Sequence, residues 1–194
     1  MSGSSSFIFR GAPRFAGRGL LFSLLFLWAS CAPISAVPTS ARTLLLDVPF
    51  FPQQENLCGP ASLASILHYW NEKTPVEEIA RAVDLPKLKG SLGIDLARFA
   101  RDKNFKAEYY NGSLSDLRGH LARGVPVIAF LNLGNRLFPA GHFIAVTGLD
   151  EGREEVISHS GTEPNKRIPY KVFIAAWEKT RFWTLRVTPP ERRA

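Results

Sequence analysis

Apolar positions take two textures along this chain, helical spacing up to about residue 122 and strand-like runs beyond residue 124. Leu63, Ile66, Leu67 and Trp70 recur at i, i+3, i+4 and i+7, which predicts one apolar stripe on a helix that follows Cys58 and Gly59. Pro60 suits its first helical position, where a missing N–H costs no hydrogen bond. Thr74-Pro75-Val76-Glu77 reads as a capping box that opens a second helix, running to about Val83. A third is expected from Ile94 to Lys103, after a turn at Gly90-Ser-Leu-Gly93. The fourth starts at Ser113, with Asp116 as the acidic cap partner, and stops at Gly124. Then Val125–Leu131 forms a nearly continuous apolar run of strand length. His142–Leu149 is β-branched and apolar, Asp150–Arg153 is turn-like, and Glu154–His159 reads as the returning strand. A short helix over Val172–Trp177 and a strand over Phe182–Val187 complete the pattern. Helices first and a mostly antiparallel sheet after predict an α+β domain, its N-terminal helical part packed on the C-terminal sheet.

Upstream of residue 44 the pattern is of another kind. A basic stretch ends at Arg18, and Leu20–Trp28 is an apolar run broken only by Ser23. Small residues Ala29 and Ser30 precede Cys31. The run is too short to span a bilayer, which takes about 20 apolar residues, and its layout is that of a signal peptide over residues 1–31. The ending resembles a bacterial lipoprotein signal, in which Cys31 would become the lipidated first residue. That signal prefers Leu where this chain has Trp28, with Leu27 one place further back, so cleavage after Ala36 is the alternative. Residues 32–43 are small and Pro-containing and read as a linker. The domain is expected over 44–188, with a tail at 189–194. The chain is therefore expected to be exported, to the periplasm or as an outer-membrane lipoprotein, touching a membrane only through an N-terminal lipid.

Composition narrows the function. Apolar residues make up 45% and charged residues 21%, near the globular average, so a packed core is expected. The formal net charge is +7. Arg10, Arg14 and Arg18 carry three of those charges in residues 1–30, and the remaining +4 is scattered singly, too little to point to nucleic acid. The histidines and cysteines are dispersed with no zinc-ligand spacing, so no metal and no cofactor are expected.

With Cys31 lipidated or removed, Cys58 is the one thiol left, and an unpaired cysteine in an exported protein suggests a reactive one. It precedes a helix start, whose free N–H groups and dipole favour the thiolate. Gly59 beside it allows close backbone approach, as a substrate carbonyl would need. A buried structural cysteine has the same address. A thiol nucleophile needs a base within hydrogen-bond reach. His68 reads as a helix-flank residue and His120 as an exposed one. His142 follows Pro139-Ala140-Gly141 and opens an apolar strand, from which a side chain can face a cleft.

The stretch Val48-Pro-Phe-Phe-Pro-Gln-Gln-Glu-Asn-Leu-Cys-Gly-Pro-Ala-Ser-Leu-Ala, with Gly141-His-Phe-Ile-Ala-Val-Thr-Gly-Leu-Asp far downstream, resembles the papain-like peptidases that cleave double-glycine leaders from bacteriocin precursors. It looks closer still to their stand-alone, exported lipoprotein relatives. The similarity runs from about Asp47 to Val187 and includes Gly90-Ser-Leu-Gly, Pro126-Val-Ile, Asn132-Leu-Gly and Trp183. The resemblance implies a papain-like fold and a peptide or protein substrate. It implies that Cys58 attacks a carbonyl carbon and that His142 takes and returns the proton. It also implies that Gln53, with Gln54 as a fallback, donates to the oxyanion together with the Cys58 N–H.

One departure stands out. These peptidases usually place an Asp, and papain an Asn, on the next strand to orient the histidine, whereas this strand ends Val156-Ile-Ser-His-Ser-Gly. If Leu149 pairs with Glu154, His142 falls opposite Gly161 and His159 shares its face. Asp150, eight residues along the strand, would be about 26 Å away at ~3.3 Å per residue. Either His159, Ser160 or a nearby carbonyl then orients His142, or nothing does. The expected activity is hydrolysis of peptide bonds through a Cys58 acyl-enzyme. A catalytically weak peptide-binding module and an acyl transferase of the same fold are the alternatives.

Overall fold

The structure, a computed structural model, describes residues 43–54, 56–85 and 90–190. All of them fall within the unit Pro38–Ala194. The signal peptide, Cys31, the linker up to residue 42 and the last four residues lie outside the described residues.

The elements follow in the order β1 (Thr43–Leu45), α1 (Cys58–Tyr69), α2 (Val76–Val83), β2 (Asp84–Leu85), β3 (Gly90–Ser91), α3 (Gly93–Asp102) and β4 (Lys106–Asn111). Then come α4 (Leu114–Ala122), β5 (Val127–Asn132), β6 (Gly141–Asp150), β7 (Glu155–Ser160), β8 (Glu163–Pro169), α5 (Tyr170–Glu178) and β9 (Trp183–Thr188). The main sheet has the antiparallel order β4-β9-β5-β6-β7-β8, with β1 paired to the far end of β6. Every predicted element is present within two residues of its expected bounds.

Helices cover both faces of this sheet, so its central strands must be apolar on both sides. Ile128, Phe143 and Ala145 pack with Leu63, Ile66, Leu67 and Leu96 on the side of α1–α3. Their alternate neighbours Val127, Ala129, Ile144 and Val146 pack with Leu117, Phe173 and Trp177 on the side of α4 and α5. That double coverage explains the unbroken apolar run of β5. Helix α1 is more enclosed than a stripe requires. Gly59 through Leu67 are all buried, and the small residues Ala61, Ser62, Ala64 and Ser65 let neighbours close around it.

Five strands were not expected: β1, β2 and β3 have only two or three residues each, β3 standing where a turn was expected, and β4 and β8 are edge strands with mostly exposed polar residues that lack an apolar period. The capping box of α2 is not formed as drawn. Thr74 Oγ1 donates to Glu72 Oε1 at 2.8 Å, and the Glu78 and Ile79 amides donate to Pro75 O. Ser113 does cap α4, accepting from Asp116 N at 3.1 Å.

The β6–β7 hairpin decides the site. Asp150 pairs with Glu155 and Leu149 with Val156, but Val146 pairs with Ser158 and Ala145 with His159. A bulge at Thr147 therefore shifts the register by one residue on the side where His142 lies. Opposite it, β1 presses close to β6: a Cβ at Gly148 would sit 2.3 Å from Leu44 O.

Candidate active site

Cys58 is the first residue of α1, and His142 the second of β6. They line one cleft of about 490 Å3 with Gln53, Gln54, Phe130 and Ser91. Cys58 is a free, half-buried thiol. Its sulfur faces the backbone N–H groups of Phe143, Gly59 and Cys58 itself. The residue after His142 thus faces the Cys58 sulfur through its main chain, which no side-chain pattern can announce.

His142 Nε2 lies 3.0 Å from Ser160 Oγ. The bulge accounts for this partner. With Ala145 opposite His159, the next β7 residue, Ser160, falls beside Ile144 and on the face of His142. His159 goes to the other face, where the unbulged register would have put Ser160. It is buried, donates from Nε2 to Val48 O at 2.8 Å, and accepts from Asn165 N at Nδ1 at 3.2 Å. Both ring nitrogens of His159 are therefore occupied, and it does not orient His142. The expected pairing of Leu149 with Glu154, which set Gly161 opposite His142, is not found: Leu149 pairs with Val156.

Ser160 differs from a carboxylate in one respect that bears on catalysis. A carboxylate can only accept, so it fixes the proton on the facing nitrogen, whereas a hydroxyl donates or accepts. When Nε2–H donates to Ser160, Nδ1 keeps the free lone pair a base needs. When Ser160 donates instead, that lone pair is lost.

Burial sets the charge state of the pair. It pushes the Cys58 thiol up from its ordinary value, and the three backbone N–H groups oppose it only in part. Burial, followed by the charge of Lys166, pushes the His142 imidazole down. The helix start favours the thiolate, but burial is the larger influence on Cys58 and acts against the charged form of both groups.

Gln53 is buried rather than free in the cleft. Its Nε2 donates to Ser62 Oγ at 3.1 Å and to Phe143 O at 3.3 Å, and its Oε1 accepts from Gly161 N at 2.8 Å. Gln54 is exposed at the rim. Gly59 has a packing reason: a Cβ there would lie 2.6 Å from Ser91 Oγ and 3.3 Å from the Phe143 ring, so the space is taken by the protein itself.

The other titratable groups lie elsewhere. His120 is buried, against the expectation of exposure; its Nδ1 accepts from Arg123 at 3.1 Å, and its ring meets the edge of Tyr110. His68 Nε2 is held 3.0 Å from Thr74 O. Asp150 receives Arg167 at 2.8 Å at the far end of β6. Among the described residues no group of three or more His, Cys, Asp or Glu side chains is placed to hold a metal ion.

The sequence profile of the Peptidase_C39 like family matches residues 45–184, a span that holds Cys58, His142 and Ser160. The chain belongs to that family. Among solved structures this C39-like protein resembles a double glycine motif protease from an AMS/PCAT transporter in complex with the leader peptide. The two share 21% identity and a TM-score of 0.60, over 75% of this chain and 94% of that one. It also resembles a C39-like peptidase from Bacillus anthracis, with 18% identity and a TM-score of 0.61 over 77% and 98%. A third is the peptidase domain of Streptococcus ComA, a bi-functional ABC transporter involved in quorum sensing, with 19% identity and a TM-score of 0.60 over 72% and 96%. No curated protein matches the chain. At these identities the likeness to solved structures establishes the papain-like peptidase fold of the C39-like protein.

Proposed function

We propose that this protein is an exported cysteine peptidase that hydrolyses peptide bonds through a Cys58 acyl-enzyme. The observation that carries the proposal is the single cleft lined by both Cys58 and His142, with His142 hydrogen-bonded to Ser160. As Cys58 Sγ attacks the carbonyl carbon, its proton passes to His142. The C–N bond then breaks, and the imidazolium returns that proton to the leaving amine. Water attacks the thioester with His142 as base, releasing the acid and restoring the thiol. Burial disfavours the charged form of each group, which favours His142 acting as a general base during attack. The substrate is a peptide, as in the neighbour solved with its leader peptide. Export and lipid attachment at Cys31 rest on residues 1–31 alone.

Two features favour a second reading, a peptide-binding module of low activity: the serine in place of a carboxylate, and the burial that pushes the thiol up from its ordinary value. Alkylation of the mature domain by iodoacetamide, compared between wild type and His142→Ala, separates the two. A rate that falls with the substitution supports the dyad. A rate that ignores His142 supports the binding module.

A further inference from the structure

Among the described residues the four most exposed large apolar side chains are Leu137 (81%), Phe138 (75%), Leu133 (60%) and Val172 (59%). Three lie on the loop between β5 and β6 and the fourth on α5, and Leu133 and Val172 line one open, mainly apolar hollow of about 410 Å3. Exposed apolar residues scattered singly need no explanation, but a cluster on one side marks an interaction surface.

The loop is built to hold them outward. Asn132 Oδ1 accepts from Gly134 N and Ala140 N, each at 3.0 Å, and Asn135 Oδ1 accepts from Leu137 N and Phe138 N, each at 2.9 Å. Lys179 Nζ on the C-terminal side of α5 donates to Gly134 O at 2.8 Å, and a Cβ at Gly134 would strike Phe138 O. The tip is thus fixed with Leu137 and Phe138 in water. The charges beside it are mostly basic. Arg136 lies in the loop, Lys171 and Lys179 line the hollow, Glu178 is the one acid of α5, and none occurs from residue 133 to 149.

A protruding apolar tip flanked by cations matches an anionic bilayer surface, with acyl chains to take the side chains and phosphates to meet the cations. A fluid bilayer also receives a protruding tip without offering a matching hollow of its own. We propose that the β5–β6 loop and the adjoining face of α5 dock this protein onto anionic membranes, a contact additional to the N-terminal lipid expected from the sequence. The docked loop leads directly into Gly141 and His142 of the cleft. The proposal does not depend on the peptidase reading.

The test uses the full chain as wild type, Leu137→Ser/Phe138→Ser, Arg136→Gln and Phe138→Trp, each shown to be folded by circular dichroism. Each is mixed with phosphatidylcholine vesicles with and without phosphatidylglycerol. The N-terminal segment is common to all four, so differences between them report the loop. Partitioning to the anionic vesicles should fall about tenfold or more in the double serine variant and about fivefold in Arg136→Gln. Because a tight N-terminal anchor would mask such losses, Phe138→Trp gives the deciding readout. On anionic vesicles with brominated acyl chains its emission should be quenched beyond that of wild type. Quenching no greater than in wild type overturns the proposal. If the double serine variant then also loses peptide cleavage in vesicle-free solution, the patch serves a peptide instead.

Discussion

Replacing Ser160 tests the hydrogen bond that holds the His142 ring. The hydroxyl lies 3.0 Å from His142 Nε2, an ordinary neutral hydrogen bond. Such a bond contributes about 0.5–1.5 kcal/mol net, so Ser160→Ala should lower kcat/KM about 2- to 12-fold, with each ~1.4 kcal/mol worth tenfold. That is far below the ~10,000-fold cost of disabling a buried aspartate in a serine-protease triad. Ser160→Asp should act in the opposite direction. Its carboxylate can only accept, so it holds the proton on Nε2 and keeps Nδ1 free. Its charge also favours the imidazolium and raises the His142 pKa toward and above its ordinary value. The acid limb of the pH–rate profile should therefore move up in Ser160→Asp and stay near wild type in Ser160→Ala. Initial rates on a fluorogenic peptide, collected across pH for the three proteins, give both readouts. If Ser160→Ala keeps full kcat/KM and Ser160→Asp leaves the acid limb in place, Ser160 does not orient His142.

Other expectations follow from the same coordinates. The wild-type kcat/KM profile should be a broad bell, its acid limb below the ordinary imidazole value of 6.5 and its alkaline limb above the ordinary thiol value of 9.0; a narrow bell between those values contradicts the burial argument. His120, His142 and His159 are all held below the ordinary imidazole value, chiefly by burial. The unfolded chain therefore takes up protons first as pH falls through 6.5, and stability drops on acidification through that window. Urea midpoints equal at about pH 7.5 and about pH 5 would count against this. Gly148→Ala places a Cβ against Leu44 O and should cost about 1–3 kcal/mol by forcing β1 from β6; an unchanged Tm would show that β1 gives way freely.

The fold was largely legible in the sequence because its elements carry strong periods. The α1 stripe, the Ser113 cap and the apolar runs of β5 and β6 each have one physical solution. Lys106–Asn111 and Glu163–Pro169 were not legible, since edge strands need no apolar face. Cys58 and His142 could be named only through the family resemblance, since a helix start and a strand start are addresses that structural residues share. The choice between His159 and Ser160 could not be made. It turns on a bulge at Thr147, and a single unpaired residue changes which side chains share a face. The low exposure of His120 also escaped, because its cover comes from β4, which has no apolar signature of its own.

The central claim is that Cys58 cuts peptide bonds with His142 as its base. The most direct measurement is mass spectrometry of a complex peptide library incubated with wild type, Cys58→Ala and His142→Ala. New peptide termini with wild type alone, or strongly reduced in both variants, are the predicted result. Identical peptide populations from all three proteins, each shown to be folded, would contradict it and leave the cleft as a binding site.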